Sequence, residues 1–228
     1  MFKHELVNPP KLVQTNVDGK RLYLDENGKA YESVTSYIGR VLDKPGLHKW
    51  RARVGAAKAD EIANAAARRG SNLHNVLESY LRNNLSENAK IKNDPSTKSL
   101  FLKVKPCVDR LNSIRLIETS LYSSELGLAG TPDTIAEYSG KLAVVDFKTS
   151  TRLKKKKDIV NYFIQCAAYG IMFNEHFGEM PKLSVIIMAI PDLHHGMVYI
   201  HPMEECVSML QNLMKDPVLF NARIAESS

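Results

Sequence analysis

In the stretch from Gly130 to Lys148, near the middle of the chain, runs rich in apolar and β-forming residues flank Ser139-Gly140. A two-residue turn signal between such runs predicts a tight hairpin. Pairing outward from it sets Tyr138 opposite Lys141, Glu137 opposite Leu142, Ile135 opposite Val144 and Asp133 opposite Asp146, unless a bulge near Pro132 shifts the register by one. The segment Leu142-Ala143-Val144-Val145 lacks polar alternation, as in a strand covered on both faces. A period of two then puts Asp146 and Lys148 on one face and turns Phe147 to the other.

The remaining pattern is mostly helical before the hairpin and mixed after it. Residues 1–18 read as an irregular arm containing Pro9-Pro10, and 21–24 pairs with 29–32 around Asn27-Gly28. Ser33 caps a helix through Leu42 that Pro45-Gly46 ends. Residues 47–85 read as helix with joints at Gly55 and Gly70, followed by a polar loop. Asp94-Pro95 starts a helix to about Ser113, kinked or broken at Pro106, and 114–125 is a strand. Residues 159–173 carry no formal charge, so that helix should be buried over most of its surface. Strands at 183–190 and 197–201 precede an amphipathic helix over 203–225, with a break at Pro217. These elements predict an α/β fold: a mixed central β-sheet flanked by helices on both faces, with an N-terminal helical part covering the active edge.

The 228 residues suit one domain with a substantial core, divided into an arm and hairpin (1–32), a helical part (33–113) and a core (114–228). A net charge of +6 favours an acidic partner, nucleic acid before membrane. No run approaches the roughly 18 apolar residues of a membrane span. The start MFKHELVNPPKL has neither an apolar signal core nor an Arg-rich presequence, so a cytoplasmic protein without signal peptide or transmembrane segment is expected. Cys107, Cys166 and Cys206 are odd in number and form no CxxC, which supports neither a disulfide framework nor a cysteine-ligated iron–sulfur cluster.

The hairpin also concentrates chemistry. Opposed aspartates have Cβ atoms roughly 4.5–5.5 Å apart and repel unless a positive group lies between them. Lys148 can serve in an ordinary salt bridge, whereas two acidic oxygens with nearby carbonyls suit a hard divalent cation such as Mg²⁺. His74 and Glu78 share a helix face at i and i+4, where a histidine beside an apolar stripe is more often a core residue than a ligand. Glu118 is either a solvated strand residue or a further acid near the metal. Lys154, Lys155, Lys156 and Lys157 form either a solvated loop or a phosphate-binding run. Gln165, on an uncharged helix, needs hydrogen-bond partners. The second Pro-Asp, Pro191-Asp192, has no lysine at strand spacing and is read as a decoy, and His194-His195 as exposed turn residues.

Pro132-Asp133 followed by Asp146-Phe147-Lys148 resembles the signature of the PD-(D/E)xK nuclease superfamily. The segment from Gly70 through His74 to Glu78 resembles the GxxxHxxxE motif of its RecB-type members, and Gln165-Cys-Ala-Ala-Tyr169 resembles their QxxxY helix. The wording of 127–172, with Ser33-Val-Thr-Ser and the helices around Trp50, is most similar to the family of mitochondrial genome maintenance exonucleases and their phage-encoded relatives; the likeness covers roughly residues 30–215. It implies a restriction-endonuclease-like core and a metal-dependent deoxyribonuclease. Asp133, Asp146, His74 and the Phe147 carbonyl would hold Mg²⁺ or Mn²⁺, and Lys148 and Gln165 would join the chemistry. Glu78, Glu118 and Tyr169 would stand behind them. It also implies single-stranded DNA attacked from free ends, in replication, repair or recombination and with proteins of those processes as possible partners. A non-cleaving single-strand binding or annealing factor and a structure-selective endonuclease are the alternatives. Oligomeric state is left open.

Overall fold

A computed structural model describes residues 1–5, 7–43 and 45–226. In chain order they form β1 (Val13–Val17), β2 (Lys20–Leu24), β3 (Ala30–Ser33), α1 (Val34–Val41), α2 (Pro45–Val54), α3 (Ala56–Leu81), α4 (Ala89–Asn93) and α5 (Pro95–Val108). There follow β4 (Leu111–Ile117), β5 (Leu121–Ser123), β6 (Leu128–Gly130), β7 (Thr134–Tyr138), β8 (Lys141–Thr149), α6 (Val160–Phe177), β9 (Leu183–Ala189), β10 (Met197–Pro202), α7 (Met203–Lys215) and α8 (Pro217–Glu226).

The central sheet has the order β10-β9-β8-β7-β4, with β8 and β9 parallel and the other pairs antiparallel. The β7–β8 hairpin has the expected register: Tyr138 pairs with Lys141, Ile135 with Val144 and Thr134 with Val145, where the ladder ends one pair short of the aspartates. Ser139 and Gly140 both have positive φ, 53° and 80°, the conformation a two-residue turn needs to match the strand twist.

Both faces of β8 are covered, which explains its unbroken apolar run. Ala143, Val145 and Phe147 pack with Leu73, Leu77 and Phe101 from α3 and α5. Leu142 and Val144 pack on the other side with Phe163, Ala167 and Met172 of α6 and Leu210 of α7. Asp146 and Lys148 continue that second row and so face α6. The absence of formal charge from 160 to 173 in α6 has the expected cause, because nine residues of that stretch are buried.

Several boundaries differ from the sequence pattern. A second five-stranded sheet, β1-β2-β3-β6-β5, joins the N-terminal hairpin to the segment before the active hairpin through the parallel β3–β6 pair. The three-residue strands β5 and β6 are too short to show a period. Pro45-Gly46 opens α2 instead of closing α1, since proline's missing N–H costs nothing in a first helical turn. Gly55, with φ 84°, is a joint as expected, but Gly70 lies inside the unbroken α3. Asp94 caps α5 through bonds from the Ser96 and Thr97 N–H groups, and the helix runs past Pro106 only to Val108. Strand β4 therefore begins at Leu111, earlier than expected.

Candidate active site

The site forms where the β7–β8 ladder ends and α3 and α6 cross it from opposite sides. Asp133 precedes β7, and its Oδ2 accepts the Phe147 N–H at 2.6 Å, a side-chain bond where the backbone ladder has stopped. The His74 ring from α3 reaches the same point. Its Nε2 lies 2.8 Å from the Phe147 carbonyl, and its Nδ1 lies 3.3 Å from Asp133 Oδ1 and 3.7 Å from Glu118 Oε1. A carbonyl only accepts, so Nε2 carries a proton and Nδ1 faces the carboxylates. Glu118 follows β4 in a left-handed conformation, φ 44°, and its N–H donates to the Asp133 carbonyl at 3.0 Å. One donor atom each from His74, Glu118 and Asp133 fall within 4.8 Å of one another.

On the α6 side, Asp146 is 1% exposed. Its Oδ1 accepts from Lys148 Nζ at 2.5 Å and from Gln165 Nε2 at 3.2 Å, while its buried Oδ2 has no hydrogen-bond partner. Lys148 Nζ also sits 4.9 Å from the centre of the Tyr162 ring. Gln165 donates to the Tyr169 hydroxyl at 3.4 Å, so the Gln-to-Tyr helical turn forms one bonded unit behind Asp146.

Charges in this confined space shift one another. Burial, opposed by Lys148 and reinforced by the negative charge of Asp133, pushes the Asp146 carboxyl up to about 6. Burial disfavours a protonated His74 ring, but the Asp133 charge and hydrogen bonds to Asp133 and Glu118 outweigh it and raise His74 to about 10. Burial likewise opposes charge on Lys148, yet Asp146 and Asp133 hold its ammonium above the usual range. Asp133 is held below its ordinary value: His74 and Lys148 overcome the effect of burial. Burial raises Glu118 despite its bond to His74. A protonated His74 ring thus supplies the positive charge that faces the Asp133 and Glu118 carboxylates.

The donors suit a divalent cation. Carboxylate oxygens and one imidazole nitrogen match the preferences of Mg²⁺ or Mn²⁺, and the orphaned Asp146 Oδ2 is a buried acceptor that calls for a positive partner. Asp146 itself stands outside the close triad of His74, Glu118 and Asp133.

Of the residues singled out in the sequence, Asp133, Asp146, Lys148, His74, Phe147, Glu118, Gln165 and Tyr169 converge here. Phe147 meets the His74 ring through its carbonyl. Glu78 lines the open pocket beside His74 and Glu118, but its carboxylate is 3.0 Å from Arg82 Nε. The lysine run splits. Lys154 and Lys157 line a cleft beside the site, Lys156 Nζ donates to the Ile200 carbonyl at 2.9 Å, and the Lys155 N–H donates to Asp158. Sequence reasoning missed Tyr162, three residues before Gln165 and so on the same helical face, where period 3.6 could have found it.

Gly130, at the end of β6, shows how closely α6 approaches. An added Cβ would lie 2.8 Å from Tyr169 Cε1 and 3.0 Å from its hydroxyl. Gly130→Ala should therefore push the Tyr169 ring aside and lower stability by about 1–3 kcal/mol, the usual effect of overpacking. Urea unfolding checks this, and an unchanged midpoint would mean that the ring can move freely.

A family model described as PD-(D/E)XK nuclease superfamily matches residues 101–217, about half of the chain. Mitochondrial genome maintenance exonuclease 1 from Homo sapiens is 28% identical over 173 residues, which cover 70% of this chain and 49% of that protein. Its namesake from Xenopus tropicalis is 27% identical over 154 residues, 64% of this chain and 44% of that protein. The Mus musculus protein of the same name is 25% identical over 155 residues. The chain spans about half the length of the curated relatives it matches.

Proposed function

The chain belongs to the PD-(D/E)XK nuclease superfamily, and from that premise we propose that it is a metal-dependent DNA exonuclease that degrades single strands from free ends. The observation that carries this reading is the close approach of donor atoms from Asp133, His74 and Glu118, with the Asp146–Lys148 pair within electrostatic reach beside them. Relatives named exonucleases support the mode of attack.

Asp133, Glu118 and His74, with Asp146 through its free Oδ2, would hold Mg²⁺ or Mn²⁺. Such an ion would lower the pKa of a bound water and neutralise charge on the scissile phosphate. The protein's own residues set the geometry. The Phe147 carbonyl fixes the His74 ring so that Nδ1 points inward. Gln165 and Lys148 together hold Asp146 in one orientation. Lys148, between that carboxylate and the Tyr162 ring, places a positive charge where the attacking water and the developing phosphate charge would meet. Tyr169 braces Gln165 from behind. Lys154 and Lys157 draw the phosphate backbone toward the site.

The mode of attack is tested with end-labelled linear and circular single strands of one sequence, incubated with Mg²⁺ or Mn²⁺. Helix α2 forms one wall of the cleft beside the site, so a strand is expected to enter by its end. Linear strands should be shortened and circles spared. Efficient cutting of circles would favour a structure-selective endonuclease, and binding without cleavage of either would favour an annealing factor. No described helix is long and apolar enough to cross a membrane.

A further inference from the structure

A cleft of about 970 Å³ lies between α2, the segment after β8 and the start of α6. Its wall carries Trp50 and Arg53 from α2, Arg152 and Lys154 from the segment after β8, and Tyr162 from α6. Trp50 is the chain's single tryptophan. It is half-buried and joins none of the hydrophobic clusters of the core, so core packing does not account for it. Among the described residues, Arg53, Arg152 and Lys154 take part in no ion pair. Asp158, which also lines the cleft, accepts the backbone N–H of Lys155. The Tyr162 ring is shared: it lines the cleft and stands 4.9 Å from Lys148 Nζ. The cleft therefore adjoins the catalytic lysine.

The cleft carries the carboxylates of Asp43 and Asp158 as well, outnumbered by its basic side chains; an indole on a wall that also presents three cations outside any ion pair matches the two surfaces of an unpaired nucleotide, a flat base and an anionic phosphate. The volume suits one or a few nucleotides. A duplex hides its base faces by stacking, so it could use the cations but not the indole.

We propose that this cleft is a subsite for an unpaired stretch of DNA, with a base stacked on Trp50 and the flanking phosphates held by Arg53, Arg152 and Lys154, and that it makes the enzyme select single strands. This rests on the nuclease reading for the identity of the ligand and adds the residues that choose its form.

The single tryptophan makes the test direct. The full chain is titrated with a thymidine homo-oligomer of about ten nucleotides, in EDTA so that nothing is cut, while tryptophan fluorescence and anisotropy of a label on the strand are followed. Saturable quenching is expected, with the same midpoint as the anisotropy. Trp50→Ala should weaken binding about 5- to 150-fold, the range for losing one stacked base, and Trp50→Phe should recover much of it. An abasic strand of equal length should bind wild type about as weakly as the thymidine strand binds Trp50→Ala, and a duplex should leave the fluorescence unchanged. Circular dichroism verifies that both variants fold. Binding without quenching, or equal affinity for wild type and Trp50→Ala, would overturn the subsite, as would equal quenching by a poly-aspartate peptide. The nuclease reading fails separately: saturable quenching in EDTA with no cleavage on restoring Mg²⁺ or Mn²⁺ would refute catalysis and leave the subsite standing.

Discussion

Lys148→Ala is expected to lower kcat by about 100- to 1,000-fold, the loss seen when one fixed donor is removed from a developing oxyanion. The same substitution should reveal the electrostatic strain of the site. Asp146 is 1% exposed and, among the described residues, pairs with one cation, Lys148; without it only the Gln165 amide donates to Oδ1, and Oδ2 has no hydrogen-bond partner. Removing one member of a buried pair leaves the other charge uncompensated. A destabilisation of about 3 kcal/mol is expected for the metal-free protein near pH 8, at the low end for such pairs because Lys148 is itself 20% exposed. The pH dependence follows from Asp146, whose pKa of about 6 in the intact site lies above its ordinary value and would rise further without the lysine. A carboxyl with a raised folded pKa holds its proton more tightly when folded, so stability falls as pH rises through that window and recovers as pH falls. The Lys148→Ala deficit should therefore shrink toward about pH 5, while turnover stays lost at every pH. Asp146→Asn should lose turnover to a similar degree with a smaller stability cost, since the neutral amide keeps the shape. Denaturant unfolding in EDTA at two pH values, beside kcat with Mg²⁺ or Mn²⁺, separates the two effects. Wild-type kcat in either folded variant would remove these residues from the chemistry.

What the sequence revealed of this site was what local geometry controls. The hairpin register could be counted because a two-residue turn leaves no slack, and the split between Phe147 and its neighbours followed from the pleat alone. The burial of α6 was visible as a stretch without charge. Other features depend on contacts between distant segments. Glu118 joins the site because a left-handed residue ends β4 beside Asp133; in the sequence it is a glutamate in an apolar strand pattern, indistinguishable from a solvated one. The second sheet rests on a parallel pairing of β3 with β6 across almost a hundred residues, for which no local pattern exists. The Phe147 carbonyl is a backbone group, and its bond to His74 could be seen only once α3 had been placed over the strand. Trp50 and Tyr162 come to one cleft by the same kind of long-range packing.

Removing divalent cations should abolish cleavage, since Lys148 can offset phosphate charge but no other group among the described residues of the site would lower the pKa of a water enough to generate a nucleophile near neutral pH. Adding Mg²⁺ or Mn²⁺ back should restore it. The geometry around His74 makes a further prediction that does not depend on turnover. Because Nε2 donates to the Phe147 carbonyl, Nδ1 is the atom facing Asp133 and Glu118, and those carboxylates keep it protonated, at about 10. A cation can use Nδ1 only after that proton leaves, so binding near pH 8 should release about one proton. Calorimetric titration with Mn²⁺ in two buffers of different ionisation enthalpy measures the number directly. His74→Gln should bring it toward zero and weaken the affinity, with little change in fold because the ring lies at the edge of the core. A cation that binds without proton release would leave His74 as a structural residue, and undiminished cleavage in EDTA would end the metal-dependent mechanism altogether.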